Sequence, residues 1–151
     1  MKVYRIVKTR YINGLSGNGA GIYGGRWNHN GTKMVYASES RSLATVEYLV
    51  HVPLSFVPTN LSLATLQIPD GITQKKIKTS DLPNNWRKHP APLMLAEIGT
   101  KWATKKESLL LRVPSAVVEH EFNILINPLH PEIQHISIFQ IERYFVDNRL
   151  L

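Results

Sequence analysis

The 151-residue sequence contains no cysteine. Disulfide bonds and thiolate metal sites are therefore excluded, and the absence is consistent with a reducing compartment. No apolar run approaches the roughly 20 residues that a membrane span requires, and residues 1–5 lack the apolar core of a signal peptide. We therefore expect a cytoplasmic protein without a membrane segment.

Metal-binding motifs and interdomain linkers are missing as well. The six histidines form no His-Glu-x-x-His motif and no other pair at metal-ligand spacing, so a catalytic zinc is not expected. No stretch rich in Pro, Gly or Ser is long enough to separate two cores. We predict no metal and a single domain, residues 1–151, whose 43% hydrophobic residues suffice for one core.

Acidic residues are fewer than basic ones, and the formal net charge is +7. An excess of positive charge favours an anionic partner, which could be a nucleic acid, a phosphorylated small molecule or an acidic protein. The basic residues are dispersed, with only short clusters such as 75–78. Short clusters are usually solvated faces, so direct nucleic-acid binding is not expected.

The hydrophobic pattern predicts an α+β fold of mainly antiparallel strands with a few helices. Six glycines within residues 13–25 predict a loop there. Helices are predicted at 40–52, where apolar residues 43, 46 and 50 form a stripe and serines are available as caps, and at 91–105. Strands or β segments are predicted at 2–8, 33–38, 60–71, 73–78, 108–115, 116–128 and 136–147.

The stretch GGRWNHNGTKMVY, residues 24–36, concentrates glycine, arginine, asparagine and aromatic residues. One interpretation is a turn that carries a surface arginine. The other is a loop whose glycines approach an anion closely, with Arg26 as a planar fork for a phosphate or diphosphate. The stretch matches neither the dinucleotide fingerprint nor a phosphate-loop pattern, so both interpretations stay open.

Two further residues carry chemistry that their local sequence leaves open. Glu47 falls inside the first predicted helix, between residues that should pack, and a buried carboxylate is costly unless it is paired or used. A surface position at the edge of the stripe is the simpler interpretation. Ser115 follows a proline at a strand end, without a Gly-x-Ser-x-Gly elbow around it. Nearby Asn123 and Asn127 are typical of strand ends.

Together these segments resemble the RES domain family, whose members are toxins of bacterial type II toxin–antitoxin pairs. The similarity is carried by LSGNGAGIYGGRWNHNGTKMVYASESRSLATVEYL, by LLLRVPSAVVEHEFNILINPLHP and by the terminal FVDNRLL. These segments include the Gly-Gly-Arg-Trp-Asn motif, the Leu-Ala-x-x-Glu motif and the Pro-Ser block. The resemblance covers nearly the whole chain.

The resemblance implies an ADP-ribosyltransferase-like fold with a central cleft and an enzyme that consumes NAD by breaking the nicotinamide–ribose bond. NAD is then a substrate, and no cofactor is required. The family's arginine, tyrosine, glutamate and serine fall on the predicted catalytic residues, and two more residues in the matched motifs are predicted to bind substrate. These six are Arg26, Tyr36, Glu47 and Ser115, with Trp27 and Asn127 as the additional substrate-binding residues.

The implied chemistry gives each residue a role. Cleavage of the glycosidic bond develops positive charge on the ribose, so Glu47 would stabilise that cation, hold a ribose hydroxyl or hold the attacking water. Arg26 would bind the diphosphate and so supply binding and orientation. Tyr36 would offer its ring to the nicotinamide or its hydroxyl to the ribose, and Ser115 a hydrogen bond to either.

Several alternatives stay open at this point. The acceptor of the ADP-ribosyl group could be water, phosphate or a protein target, which separates a glycohydrolase or phosphorylase from a protein-modifying ADP-ribosyltransferase. A basic RNA-binding or RNA-cleaving toxin and a non-catalytic interaction module are the competing classes. The family also implies a cognate antitoxin with a DNA-binding domain that blocks the active-site entrance, and a homodimer of the toxin.

Overall fold

The computed structural model describes residues 1–53 and 55–151. This part of the chain forms seven strands, three α-helices and several short 3-10 turns. The strands are β1 (Lys2–Lys8), β2 (Val35–Ser38), β3 (Leu61–Gln67), β4 (Gln74–Lys76), β5 (Leu110–Pro114), β6 (Phe122–Ile126) and β7 (Ser137–Tyr144). The helices are α1 (Asn18–Tyr23), α2 (Arg41–Leu49) and α3 (Leu93–Lys105).

The strands form one sheet in the order β4-β5-β6-β2-β1-β3-β7. Neighbouring strands pair antiparallel except β4 and β5, which are parallel. The α+β fold with mainly antiparallel strands is thereby confirmed. β1 and β2 sit side by side in the centre, so the segments that flank them, the glycine-rich stretch and α2, start from the middle of the sheet.

Both faces of the sheet are covered over its central strands. One face packs against α3 and three buried tryptophans, which are Trp27, Trp86 and Trp102. The opposite face forms a cluster of aliphatic residues that runs from β3 to β5, including Ala64, Ile124 and Leu110. Because both faces are buried, β3 is buried over six consecutive residues, including Ser62 and Thr65, where an alternating strand would expose every second one.

The predicted strands are present, with one marked shortening. The segment predicted at 116–128 forms β6 only from Phe122 onward. The preceding residues make a tight turn, in which the amide of Ser115 donates to the carbonyl of Glu121 at 2.8 Å and His120 takes a φ of 63°. The turn places Ser115 beside the start of β6, which matters for the site.

The prediction of a loop over residues 13–25 is wrong at its centre, where α1 forms. Glycine disfavours a helix because of its backbone entropy, yet here glycines flank the helix at both ends. Gly17 precedes α1 with a φ of 69°, and Gly24 follows it with a φ of 72°. The Asn28 side chain donates to the carbonyl of Ala20 at 2.8 Å, so a tertiary contact fixes the short helix.

Helix α2 begins as predicted, but its buried face differs from the prediction. Ser40 caps the helix by accepting a hydrogen bond from the amide of Leu43 at 3.1 Å. Its buried residues are Leu43, Ala44 and Thr45. The prediction that residues 43, 46 and 50 form the buried stripe is wrong, because the helix ends at Leu49. Val50 lies outside the helix and is 54% exposed.

Helix α3 lies directly on the backbone of the GGRWN stretch. A Cβ atom added at Gly99 would stand 1.8 Å from the carbonyl oxygen of Trp27. Any side chain there would push the two segments apart, so glycine sets their separation. The amide of His29 also donates to the hydroxyl oxygen of Thr100, at 2.9 Å. In the described residues, no helix is long and apolar enough to cross a membrane.

Candidate active site

Glu47 is half-buried on α2 and its carboxylate is held by two neighbouring segments. The hydroxyl of Ser115 donates to Oε1 at 2.6 Å, and the side-chain amide of Asn123 donates to the same oxygen at 2.7 Å. Asn123 is itself oriented by the hydroxyl of Ser38, which donates to its Oδ1 at 2.7 Å. Helix α2, the end of β5, the start of β6 and the end of β2 therefore meet at one carboxylate.

The two carboxylate oxygens of Glu47 differ in their surroundings. Both hydrogen bonds that the described residues make to Glu47 go to Oε1. Oε2 makes no hydrogen bond with the described residues, so its lone pairs are available to a ligand. The two bonds to Oε1 hold the carboxylate in position. A carboxylate with one anchored and one available oxygen is a preorganised negative charge.

Ser115 has no free hydrogen-bonding capacity. Its hydroxyl proton goes to Glu47, and its oxygen accepts from the amides of Val117 and Val118 at 3.1 and 3.0 Å. The residue is 2% exposed. A serine hydroxyl offers one donor and two lone pairs, and all three are used here. Ser115 therefore positions Glu47. It has no hydrogen bond left for the contact with nicotinamide or ribose that the resemblance implies.

Tyr36 is similarly engaged within the protein. Its hydroxyl donates to Oδ1 of Asn28 at 2.6 Å and accepts from the amide of Trp27 at 3.1 Å. Burial raises the pKa of Tyr36 above its ordinary value, and the Trp27 amide and the charge of Arg26 oppose this only partly. The neutral hydroxyl therefore ties the turn that contains Arg26 to β2, and the partly buried ring packs against the tryptophan cluster.

The glycines of the stretch are required by this packing. A Cβ at Gly25 would stand 2.7 Å from the Tyr36 hydroxyl oxygen, and one at Gly24 would stand 2.6 Å from Oδ1 of Asn30. Gly24 also has a positive φ. The turn is built around the Tyr36 hydroxyl, and this explains why glycine, arginine, asparagine and tyrosine occur together in so few residues.

Arg26 is half-buried and bridges two loops. Its guanidinium donates to the carbonyls of Trp86 and Lys88, at 2.8 and 3.2 Å. Burial lowers its pKa, while the nearby charge of Glu47 and, less strongly, Tyr36 raise it. Because a guanidinium carries five N–H donors, two bonds to backbone leave three for an anionic ligand.

The four predicted catalytic residues form two pairs that lie near each other. Glu47 contacts Ser115 directly, Tyr36 holds the backbone next to Arg26, and the nearby charge of Glu47 opposes the lowering of the pKa of Arg26. Trp27 is placed differently, because it is 2% exposed and packs under α3. It supports the turn and presents no surface to a ligand.

Asn127 lies away from this region, at the far end of β6. Its side-chain amide donates to the carbonyl of Ala103 at 2.9 Å, and its Oδ1 accepts from the amide of Leu129 at 3.1 Å. The residue is fully buried. It lies four positions beyond Asn123, about 13 Å along an extended strand. We therefore assign Asn127 to the core, and the substrate-binding role predicted for it has no support from its position.

A cleft of about 550 Å³ opens beside the carboxylate site. Ser115 and Trp86 line it, and these two residues contact Glu47 and Arg26 respectively. Arg26, Tyr36 and Glu47 are not among its lining residues. The carboxylate thus sits behind one wall of the cleft, and the expected central cleft is only partly formed by the predicted residues.

Three residues of the site were not predicted from the sequence, which are Ser38, Asn28 and Asn123. A usable signal existed for Asn123. In the pattern Phe-Asn-Ile-Leu-Ile it shares a sheet face with buried Leu125, and a polar residue on a core face requires a partner. The register that pairs it with Ser38 was not visible in the sequence. Among the described residues, no group of three or more His, Asp or Glu side chains could hold a metal.

Comparison with known proteins identifies the family. The model of the RES domain matches residues 2–147. The chain is 42% identical to the protein named "Toxin Res" of Yersinia enterocolitica, with 99% of each chain covered. It is 37% identical to the "Prs ADP-ribosylating toxin" of a Sphingobium strain, covering 95% of this chain and 91% of that one. The protein therefore belongs to the RES domain family.

A solved structure shows the same fold. The chain superposes on one from the crystal structure of the Mycobacterium tuberculosis MbcT–MbcA toxin–antitoxin complex with a TM-score of 0.73. The match covers 95% of this chain and 83% of that chain at 17% identity. At this identity the comparison establishes the architecture, and the assignment of chemistry depends on the site.

Proposed function

We propose that this protein is the toxin of a toxin–antitoxin pair and that it degrades NAD by cleaving the nicotinamide–ribose bond. The observation that carries the proposal is the carboxylate of Glu47, anchored through Oε1 by Ser115 and Asn123 with Oε2 left for a ligand. Loss of nicotinamide makes the ribose cationic in the transition state. A fixed negative charge stabilises that state more than the ground state, which is what accelerates the reaction.

Other parts of the site fit the same substrate. Arg26 has donors left for an anion, and its bonds to Trp86 and Lys88 hold it in place before the ligand arrives. A contact to the diphosphate is made in both the ground and transition states, so Arg26 supplies binding and orientation. The ring of Tyr36 remains for the nicotinamide, whereas its hydroxyl keeps the turn in place.

Glu47→Gln tests the proposal with little change in shape. Purified protein is incubated with NAD, and release of nicotinamide is followed by chromatography and mass spectrometry. We expect the substitution to lower turnover about 100-fold or more, the usual effect of removing one preorganised electrostatic group. A folded Glu47→Gln protein with unchanged NAD consumption would exclude Glu47 from the mechanism. A parallel incubation with RNA tests the competing hypothesis that the protein cleaves RNA.

A second candidate differs only in the acceptor of the ADP-ribosyl group. It is favoured by the relative from Sphingobium, whose name describes an ADP-ribosylating toxin. Transfer to a protein and transfer to water or phosphate share the departure of nicotinamide, so Glu47 has the same role in each. Product masses separate them: free ADP-ribose, its phosphorylated form in phosphate buffer, or a protein that gains one ADP-ribosyl mass.

The proposed activity implies control by a partner. Relatives from Yersinia enterocolitica and Photorhabdus laumondii are both named "Toxin Res". A cognate antitoxin that carries a DNA-binding domain and covers the entrance to the site is our proposal for this chain too. Its net charge of +7 would suit an acidic segment of such a partner. Homodimerisation of the toxin stays a prediction.

A further inference from the structure

The cleft beside the carboxylate site has a lining that suits a nucleotide. Its charged walls hold four Lys and Arg side chains against two carboxylates, and its apolar lining includes Ile77, Trp86 and Phe122. A cavity that combines apolar surface with a few convergent charged groups is typical of small-molecule sites. The excess of cationic groups selects an anion.

Three of the cationic side chains are available to a ligand. Lys76 and Lys78 are exposed and make no ion pair or side-chain hydrogen bond with the described residues. Arg87 lies 3.7 Å from Glu119, longer than a hydrogen bond, and its guanidinium sits 5.5 Å from the ring centre of Trp86. An arginine with a loose partner is free to turn toward a phosphate, where it forms stronger, bidentate bonds.

The fourth cation is already committed. Arg112 donates to Glu39 at 2.6 Å and stacks on the Phe122 ring, 3.5 Å from its centre. Lys76 lies opposite this arginine in the strand register, and Lys78 and Arg87 are the two available cations outside that pair.

The cleft is joined to the carboxylate site through two residues. Ser115 lines the cleft and donates to Glu47, and Trp86 lines it while its carbonyl accepts from Arg26. In a pyridine dinucleotide the diphosphate follows the nicotinamide ribose directly. A ribose held at Glu47 would therefore place its diphosphate near Arg26, and Arg26 is tied to the Trp86–Lys88 loop, whose Trp86 and Arg87 line the cleft.

We infer that this cleft binds the adenosine diphosphate half of the dinucleotide, with Lys78 and Arg87 as phosphate-binding residues in addition to Arg26. The inference rests on the proposed NAD cleavage for its substrate. It assigns Arg26 to the junction between the two half-sites, because its guanidinium is tied to the Trp86–Lys88 loop. The apolar lining around Trp86 receives the adenosine.

The test uses ADP, which carries this half of the substrate and has no scissile bond. Binding of ADP to the full-length protein is measured by isothermal titration calorimetry for wild type, Lys78→Ala, Arg87→Ala and the double variant. We expect the double variant to bind ADP about 10-fold more weakly or worse, since charge-assisted phosphate contacts are among the stronger hydrogen bonds. Both side chains are exposed, so thermal melting should show unchanged folding.

Lys75→Ala is the matched control. Lys75 belongs to the same strand as Lys76, but it pairs with Glu107 at 2.7 Å and does not line the cleft. ADP affinity should be unchanged in this variant. Equal ADP binding by wild type and the double variant, or no ADP binding by wild type, would overturn the inference.

NAD kinetics separate the inference from the proposed function. We expect Lys78→Ala and Arg87→Ala to raise KM for NAD with little effect on kcat, the signature of lost uniform binding. NAD cleavage with an unchanged KM in the double variant would refute the cleft assignment and leave the proposed function standing. ADP bound in the cleft of a protein that leaves NAD intact would refute the proposed reaction and keep the nucleotide site.

Discussion

The two ends of β6 carry the same residue type in two different environments. Asn123 at the start of the strand links Ser38 to Glu47, whereas Asn127 just beyond its end holds the carbonyl of Ala103 at the last turn of α3. Both side chains use their amide nitrogen as a donor. One donates to a charged group at a half-buried position, and the other to backbone in the core.

The difference shows how similar hydrogen bonds support distinct properties. An amide that donates to a carboxylate orients a charge for a ligand, so its removal should affect the reaction. An amide that satisfies a buried carbonyl prevents a desolvation penalty, so its removal should affect folding. Both residues are asparagines. The group that each side chain contacts decides whether its removal affects the reaction or the folding.

Asn127→Ala should have the largest effect, and on stability. The substitution removes one of the two donors to the carbonyl of Ala103, which keeps the amide of Lys106, and leaves the partly buried amide of Leu129 without its partner. We expect a loss of about 2–3 kcal/mol in the free energy of unfolding, because the lost bond in the core and the unsatisfied amide each cost roughly 1–3 kcal/mol. Thermal melting should show a midpoint lower by roughly 5–10 °C. NAD turnover per folded molecule should stay at the wild-type level.

Asn123→Ala should show the reverse pattern. We expect kcat to fall about 10-fold, equivalent to about 1.4 kcal/mol in the activation free energy, because Glu47 loses one of its two anchors. The melting midpoint should change less than in Asn127→Ala. In a Glu47→Gln background the same substitution should change turnover little, since Asn123 acts through that carboxylate. An equal loss of activity in both backgrounds would contradict the positioning role.

Tyr36→Phe should lower turnover less than Asn123→Ala does. Tyr36 pairs with Leu125, midway between the two asparagines along β6. The substitution leaves the amide of Trp27 and Oδ1 of Asn28 without the hydroxyl, and we expect a destabilisation of about 1 kcal/mol. Turnover should fall only slightly, because the ring is retained. A loss of activity as large as that of Glu47→Gln would show that the hydroxyl acts on the substrate.

Much of the fold could be predicted because it depends on local pattern. Alternating apolar residues identified β1 and β3, an apolar run rich in leucine and valine identified β5, and Ser40 marked the start of α2. The errors occur where tertiary contacts override local preference. Six glycines predicted a loop, yet Asn28 and the glycines at either end stabilise α1. The α2 stripe failed because the helix ends before Val50.

The site residues could be predicted only through the family resemblance. The hydrogen bonds among them could not be predicted from the sequence. Glu47 and Ser115 are 68 positions apart, and their contact depends on the turn between β5 and β6. Asn123 was interpreted as a strand-end residue because nothing in the sequence showed that Ser38 stands opposite. Motifs identify which residues take part, whereas the register of the strands decides which of them touch.

The contact between Gly99 and Trp27 has a mechanical consequence. Arg26 directly precedes Trp27, whose carbonyl is in contact with the backbone of α3, so the turn that carries Arg26 is backed by a helix of 13 residues. The turn cannot shift toward α3 unless the helix moves too, so ligand binding should leave the backbone of the turn where it is.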